Sequence, residues 1–136
     1  MSAFIDSSVL IAFYSERDEN HAKAVELIKK AGSKEYGAIF ISDYVFNECV
    51  NFILAKTKDV RKAAFAGDKI LASDAILLQV SSSAFSKSWE LFKKYDVLSL
   101  TDCTNIQLMK ENNIEKIITF DSGFKRIKEI EVIDRT

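Results

Sequence analysis

The sequence predicts an α/β protein in which helices cover a mostly parallel sheet of four to five strands. Short apolar runs alternate along the chain with longer segments of helical periodicity, as in βαβ units. The short runs are apolar at almost every position, which is typical of parallel strands buried on both faces. The 136 residues contain no proline and only 4 glycines. No flexible linker is therefore indicated, and we expect one domain over residues 1–136.

The predicted strands are the apolar segments that lie between helical ones. The first is Ala3-Phe4-Ile5, which ends at Asp6. The others are Ala38–Ile41, Ala75–Val80, Ile117–Phe120 and a short Val132–Ile133. We interpret the apolar segment 97–100 as an ordered approach to the following helix rather than as a strand.

Six segments are predicted helices, because apolar residues recur in them at intervals of three and four. In most of them a serine or an aspartate stands where a capping side chain is needed. They begin near Ser8, Asp18, Ser42 or Asp43, Lys58, Ser82 or Ser83, and Thr101, and they end near Tyr14, Ala31, Lys56, Ser73, Tyr95 and Asn112 respectively.

The composition is that of an ordinary globular protein, with 48% hydrophobic and 29% charged residues. A net charge of -1 argues against a protein that coats nucleic acid, although it allows a local basic patch. No apolar run approaches the ~20 residues that span a bilayer, and no signal-peptide pattern is present, so we expect a cytoplasmic protein. Cys49 and Cys103 are too few for a disulfide framework, and we expect both thiols to be reduced.

Four acids lie in apolar surroundings, namely Asp6, Glu48, Asp102 and Asp121. Each has an ordinary structural explanation: a helix cap for Asp6, a solvent-facing position for Glu48, the helix dipole for Asp102, and a turn for Asp121. Sites in parallel sheets form beyond the carboxyl ends of the strands, and Asp6 and Asp121 each follow such a strand. We expect the four acids to converge there.

Clustered carboxylates repel one another unless a proton or a cation is present. Mg²⁺ and Mn²⁺ prefer oxygen ligands of this kind, and they activate water for phosphodiester hydrolysis. A zinc site is not expected, because the chain has one histidine and two cysteines. A Ser–His triad would need His21, which we interpret as a surface residue of a polar helix.

Four motifs carry a resemblance to a known family: FIDSS at 4–8, NE at 47–48, LTD at 100–102 and TFDSGF at 119–124. In order and spacing they resemble the PIN-domain ribonucleases, and most of all the VapC-type toxins of type II toxin–antitoxin systems. The resemblance implies a sheet with strand order 3-2-1-4-5 in an α/β/α sandwich. It also implies an Mg²⁺- or Mn²⁺-dependent endoribonuclease that hydrolyses RNA phosphodiesters, forms a homodimer and is inhibited by a small antitoxin protein.

By the same resemblance, Asp6, Glu48, Asp102 and Asp121 form the catalytic metal site. Ser7 or Ser8 would support the first acid, Thr101 would stand beside the third, and Phe124 would match the aromatic residue after the last. The chain departs from the commonest pattern at Cys49 and at Cys103, which replaces a small residue. We expect both to behave as buried apolar side chains.

Two asparagines, Asn51 and Asn105, lie three residues beyond Glu48 and Asp102, on nearly the same helical faces. They either orient the acids or water, or they are polar surface residues.

Basic residues near the site are candidates for RNA contact. The preferred group is Lys125, Arg126 and Lys128, and a second group is Lys56, Lys58, Arg61 and Lys62; a solvated charged face is the alternative for each. The aromatic residues Phe85, Trp89 and Phe92 have helical spacing. We expect them in the core or in a dimer interface rather than on a base-stacking platform.

Three other functions remain open at this stage. One is a PIN-domain nuclease of RNA processing that has no antitoxin. Another is a phosphatase with Asp6 as nucleophile, which is disfavoured because Ser8 stands where haloacid-dehalogenase-like phosphatases have a second aspartate. The last is a silent binding module, which is disfavoured because all four acids are retained.

Overall fold

The computed structural model describes residues Met1–Thr136. Its sheet has five strands, all parallel, in the order β3-β2-β1-β4-β5. The strands are β1 Ser2–Ile5, β2 Ala38–Ser42, β3 Ile76–Leu78, β4 Lys116–Ile118 and β5 Glu131–Ile133. This architecture confirms the predicted α/β fold, and it places the strands that precede Asp6 and Asp121 side by side.

Six α-helices connect the strands, and a short 3₁₀ helix follows β4. The α-helices are α1 Ser7–Tyr14, α2 His21–Gly32, α3 Asp43–Thr57, α4 Val60–Ala72, α5 Ser82–Lys94 and α6 Leu100–Glu111, and the 3₁₀ helix is Ser122–Arg126. The helix α1 packs on α2 and α3, α3 also packs on α4, and α5 packs on α6. Residues 102–109 of α6 are all buried, so α6 is the innermost helix.

Two helices begin later than the sequence predicts. The Asp18 side chain accepts a hydrogen bond of 2.8 Å from the backbone N–H of Asn20 and forms a turn, so α2 begins only at His21. Lys58 adopts a left-handed conformation with φ of 55° and ends α3, and Asp59 then caps α4. The predicted starts at Asp18 and Lys58 are therefore wrong.

The sequence predicts that strand β3 is buried on both faces, and this prediction is wrong. It lies at the edge of the sheet, where Ile76 and Leu77 are 46% and 41% exposed. The apolar composition of this segment therefore does not indicate burial on both faces, and the strand covers only part of the predicted Ala75–Val80 range.

The aromatic residues of α5 also lie on an outer face. Phe85, Trp89 and Phe92 are 42%, 45% and 37% exposed, and the rings of Trp89 and Phe92 stack with centroids 5.4 Å apart. The core alternative of the prediction is therefore wrong for these three residues. The side of α5 that packs against the protein has the small buried residues Ala84 and Ser88, together with Leu91, which is partly buried against the core.

Both cysteines are buried and free, as predicted. Burial raises the pKa of Cys49 to about 12 and that of Cys103 to about 11, so neither thiol ionises readily. None of the helices combines the length and the apolarity that crossing a membrane demands.

Candidate metal centre

Asp6 lies at the centre of the candidate site because of the register between β1 and β4. Ile5 is paired with Ile118, and the Asp6 backbone N–H continues the ladder with a hydrogen bond of 3.0 Å to the Ile118 carbonyl. The residue beside Asp6 is therefore Thr119. Its Oγ1 donates a hydrogen bond of 2.7 Å to Asp6 Oδ2.

The Asp6 carboxylate is only 3% exposed and has a hydrogen-bond donor on each oxygen. Ser8 Oγ donates to Oδ2 at 3.0 Å, beside Thr119, and Asn105 Nδ2 donates to Oδ1 at 3.2 Å. Burial raises the pKa of Asp6; the hydroxyls of Thr119 and Ser8 oppose this shift, and the charge of Glu48 adds to it. Ser8 thus contacts the first acid, as the family resemblance implies, and Asn105 contacts an acid rather than lying on the polar surface.

Glu48 reaches the same region from α3, where it is half-buried. Ser7 Oγ donates a hydrogen bond of 2.8 Å to Glu48 Oε1. Two adjacent serines at the start of α1 therefore hold two different acids, since Ser8 contacts Asp6 and Ser7 contacts Glu48. The sequence motif did not indicate this division between the two hydroxyls.

Asp102 belongs to a reciprocal cap at the start of α6. Its Oδ2 accepts a hydrogen bond of 3.0 Å from the Ser99 backbone N–H, and its own N–H donates to Ser99 Oγ at 3.1 Å. Burial raises the pKa of Asp102 to about 7; the bonds from Ser99 oppose the shift, and the charges of Asp6 and Asp121 add to it. Asp102 therefore lies in the first turn of a helix, as predicted, and it is also close enough to Asp6 and Asp121 for their charges to affect its pKa.

The sequence predicts that Asp121 directly follows a strand ending at Phe120, but β4 ends earlier. The strand ends at Ile118, and Asp121 caps the following 3₁₀ helix through a hydrogen bond of 2.8 Å from the Gly123 N–H to its Oδ1. Its own N–H donates to Thr119 Oγ1 at 3.0 Å. One threonine hydroxyl therefore connects the first and the last acid of the cluster.

The structure brings all four acids into one electrostatic neighbourhood, because Asp102 is influenced by Asp6 and Asp121, and Asp6 by Glu48. The side chains are not convergent: no three histidine, cysteine, aspartate or glutamate residues are arranged to hold one ion. Each carboxylate is turned towards its own protein donors. Mg²⁺ is commonly held by one or two carboxylates, with waters in the remaining positions, so three converging ligands are not required.

The available donors fit a hard divalent cation. All are oxygens, from four acids and the hydroxyls beside them. In addition, the Asn105 Oδ1 atom is buried and has no hydrogen-bond partner. His21 is not part of this set, because its Nδ1 lies 2.8 Å from the Ala12 carbonyl at the end of α1.

Several predicted site residues lie apart from the carboxylates or are otherwise engaged. Asn51 is exposed, and its side chain donates to Asn47 at 3.0 Å rather than to an acid. Thr101 is half-buried and lines a cleft beside Glu48. Phe124 is fully buried in the core.

Among the basic residues predicted to contact RNA, Lys125 forms an ion pair of 3.0 Å with Asp134. Arg126 and Lys128 are exposed. The bond from Lys125 is the main cause that lowers the pKa of Asp134. Two of the three cations therefore remain available to a ligand.

Thr119 and Ser99 are the residues near the acids that the sequence reasoning missed. The sequence carried a signal for both, since a hydroxyl residue stands two positions before Asp121 and another stands three before Asp102. The second is the spacing of a capping box. The first becomes meaningful only when the strand register is known.

Known proteins share this fold and sequence pattern. A family model described as "PIN domain" matches residues 3–130. A VapC ribonuclease of Archaeoglobus fulgidus is 25% identical over 127 residues, which make up 91% of this chain and 80% of that protein.

Three solved structures are similar in fold. The Mycobacterium tuberculosis toxin VapC20, described as cleaving the sarcin–ricin loop, has a TM-score of 0.80 at 21% identity, with 91% of this chain and 93% of that chain covered. VapBC2 of Rickettsia felis, bound to a promoter DNA fragment, has a TM-score of 0.71 at 16% identity, with 100% of each chain covered. A toxin–antitoxin complex of Klebsiella pneumoniae has a TM-score of 0.67 at 20% identity, with 96% and 95% covered.

The family model covers nearly the whole chain, and it includes the four acids. The chain belongs to the PIN domain family.

Proposed function

We propose that the protein is an Mg²⁺- or Mn²⁺-dependent endoribonuclease, whose ion is held by carboxylates from Asp6, Glu48, Asp102 and Asp121. The observation that supports this most is the electrostatic coupling among these acids at the carboxyl end of the central strand, where Asp6 is coupled to Glu48 and Asp102, and Asp102 is coupled to Asp121. Uncompensated charges so close together are costly. A divalent cation removes this cost and supplies a reason for the arrangement.

The protein groups have separate tasks in the proposed reaction. A bound divalent ion polarises the scissile phosphoryl group and lowers the pKa of the attacking water. Thr119, Ser8 and Asn105 fix the orientation of the Asp6 carboxylate, and Ser7 fixes that of Glu48. The Ser99 backbone N–H fixes the orientation of the Asp102 carboxylate.

RNA is proposed to lie across the cleft beside Glu48, which is lined by Asp43, Tyr44, Asn47 and Thr101. Tyr44 offers an aromatic face and Asn47 an amide, both suited to an unpaired base. The exposed cations Arg126 and Lys128 are proposed to contact the phosphate backbone.

The protein is further proposed to be the cytoplasmic toxin of a type II toxin–antitoxin pair, inhibited by a small antitoxin. This is supported by the similar structures that are described as toxins or toxin–antitoxin complexes. A PIN-domain nuclease of RNA processing without an antitoxin is the alternative. The gene neighbourhood distinguishes the two functions. A toxin gene has a small open reading frame directly beside it, and that reading frame encodes a protein able to bind and inhibit this chain.

A homodimer is also proposed, supported by the exposed aromatic residues on α5. Sedimentation of the purified protein tests it: a mass of twice 15.4 kDa supports the dimer. A mass that remains monomeric at micromolar concentration contradicts it.

The nuclease proposal is tested by cleavage of a defined structured RNA in Mg²⁺, in Mn²⁺ and in EDTA. Wild-type protein free of partners should cleave only with metal, and Asp6→Asn should not cleave. Asp68→Asn is the matched control, because Asp68 is exposed and makes no ion pair or side-chain hydrogen bond. Cleavage that persists in EDTA, or in Asp6→Asn, would show that the activity does not depend on this site.

A further inference from the structure

Asn105 occupies an unusual position for an amide side chain. It lies in the innermost helix, α6, and is 0% exposed. Its Nδ2 donates to Asp6 Oδ1 at 3.2 Å, while its Oδ1 accepts no hydrogen bond. It is the one buried side-chain nitrogen or oxygen in the structure that lacks a partner.

The unpartnered Oδ1 of Asn105 is unfavourable for the stability of the folded protein. A buried acceptor without a donor destabilises a folded protein, because the group has given up its hydrogen bonds to water and has gained none in exchange. Rotating the amide by 180° does not remove the problem, because Oδ1 would then face the Asp6 carboxylate and the NH₂ group would lose its acceptor. An apolar residue would satisfy the packing of α6 at this position without that cost.

The hydrogen bonds to Asp6 are distributed unequally between its two oxygens. Thr119 and Ser8 both donate to Oδ2, whereas Asn105 is the side chain that donates to Oδ1. Asn105 therefore determines which way Oδ1 points. The unpartnered Oδ1 belongs to the same amide whose Nδ2 contacts Asp6.

We propose that Asn105 is a positioning residue of the metal centre with two tasks on one amide. Its Nδ2 holds Asp6 Oδ1 towards the ion, and its Oδ1 is the neutral acceptor that the site offers to the hydrated ion. This inference rests on the proposed metal-dependent function. Mg²⁺ and Mn²⁺ retain several waters when bound, and the protons of those waters require acceptors.

Mn²⁺ titration by calorimetry tests this inference on wild type, Asn105→Leu and Asn51→Leu. Leucine has the same branching and the same number of side-chain heavy atoms as asparagine but neither donor nor acceptor. Asn105→Leu should raise the Mn²⁺ dissociation constant about 10- to 100-fold, the range found when groups that support metal ligands are removed. Asn51→Leu is the matched control at the same spacing from Glu48, and it should bind Mn²⁺ like wild type because Asn51 is exposed and contacts Asn47.

Cleavage provides a second readout. RNA cleavage by Asn105→Leu should be low at limiting Mn²⁺ and should recover as the Mn²⁺ concentration is raised, because binding rather than folding is impaired. If Asn105→Leu does not fold, Asn105→Ala is measured in its place with the same expectation.

The outcomes separate this inference from the proposed function. Wild-type protein that binds Mn²⁺ and cleaves RNA, together with an Asn105 variant of equal Mn²⁺ affinity, would overturn the role of Asn105 and leave the function standing. Wild-type protein that binds no Mn²⁺ would overturn both.

Discussion

Thr119 Oγ1 lies 2.7 Å from Asp6 Oδ2 and accepts a hydrogen bond of 3.0 Å from the Asp121 N–H. One hydroxyl thus joins two acids that are far apart in the sequence. The relationship depends on the parallel pairing of β1 with β4, in which Ile5 lies opposite Ile118. A shift of this register by one residue would take the threonine away from Asp6.

Thr119→Val should disturb both acids while preserving the shape of the side chain. The variant leaves the buried Asp6 carboxylate with one donor fewer and the Asp121 N–H without its acceptor. We expect a loss of about 1–3 kcal/mol in the free energy of unfolding and a fall of about 10- to 100-fold in Mn²⁺ affinity. Thr104→Val is the control, since Thr104 is equally buried but donates to the Thr101 carbonyl within α6. It should lose stability without the loss in Mn²⁺ affinity; equal affinity losses in both variants would contradict a specific role for Thr119.

Asp6→Asn should abolish metal-dependent cleavage and leave the fold intact. The amide keeps an acceptor for Asn105, and the Ser8 and Thr119 hydroxyls are able to rotate and accept from the new NH₂ group. Because the variant removes a charge from a buried group of acids, its stability in EDTA should equal or exceed that of wild type. Urea unfolding and the RNA cleavage assay measure the two effects, and the exposed-site variant Asp68→Asn should change neither. A marked loss of stability would mean that the Asp6 charge is paired in the metal-free protein.

The stability of the metal-free protein should fall as the pH rises from about 4 to about 7. The pKa of Asp102 is about 7 in the folded protein and 3.8 in its ordinary state, so between these values the folded state holds more protons than the unfolded state. One such group gives a slope of at most about 1.4 kcal/mol per pH unit. Asp6, whose pKa is also raised, acts in the same direction.

Urea unfolding in EDTA across this pH range measures the slope. Asp102→Asn should reduce the decline, and saturating Mn²⁺ should do so in wild type, because the ion favours the ionised carboxylates. Superimposable pH profiles for wild type and Asp102→Asn would refute the raised pKa.

Gly123→Ala should displace Asp121 through a steric contact. A Cβ atom at this position would lie 3.1 Å from Asp121 Oδ1 and 3.1 Å from Leu98 Cδ2, which is closer than most such contacts allow. We expect a cost of about 1–3 kcal/mol in stability and weaker Mn²⁺ binding. Gly32→Ala is the matched control, because no atom lies within 4 Å of the added Cβ; it should leave the Mn²⁺ affinity unchanged and should not lower the stability, since alanine favours a helix more than glycine does. Wild-type Mn²⁺ affinity in Gly123→Ala would argue that Asp121 does not contact the ion.

The overall fold was predictable because apolar runs and capping residues are local features. The cap Ser42 and the run before Asp6 mark element boundaries that the structure reproduces within a few residues. The strand order came from the family resemblance, since spacing along the chain does not determine which strands pair.

The exposure of side chains was less predictable. Apolar composition alone does not distinguish a central strand from an edge strand, so β3 was expected to be buried. The aromatic residues of α5 illustrate the same difficulty, because apolar residues at helical spacing predict one contiguous face but not what covers it.

The contacts within the candidate site depend on tertiary structure. Asn51 and Asn105 have the same spacing from an acid, yet one is exposed and the other is fully buried against Asp6. The difference arises because α3 presents that side to solvent, whereas α6 is enclosed. The link from Thr119 to Asp6 likewise exists only through the sheet register.

Crystals of the protein soaked in Mn²⁺ test most directly whether these four acids form a divalent-metal site. Anomalous scattering locates the ion without any assumption about its ligands. We expect a peak at a ligand distance of about 2.1 Å from a carboxylate oxygen of Asp6, with at least one other of the four acids turned towards it. A peak elsewhere, or no peak in crystals whose site is open to solvent, would contradict the assignment of the metal centre.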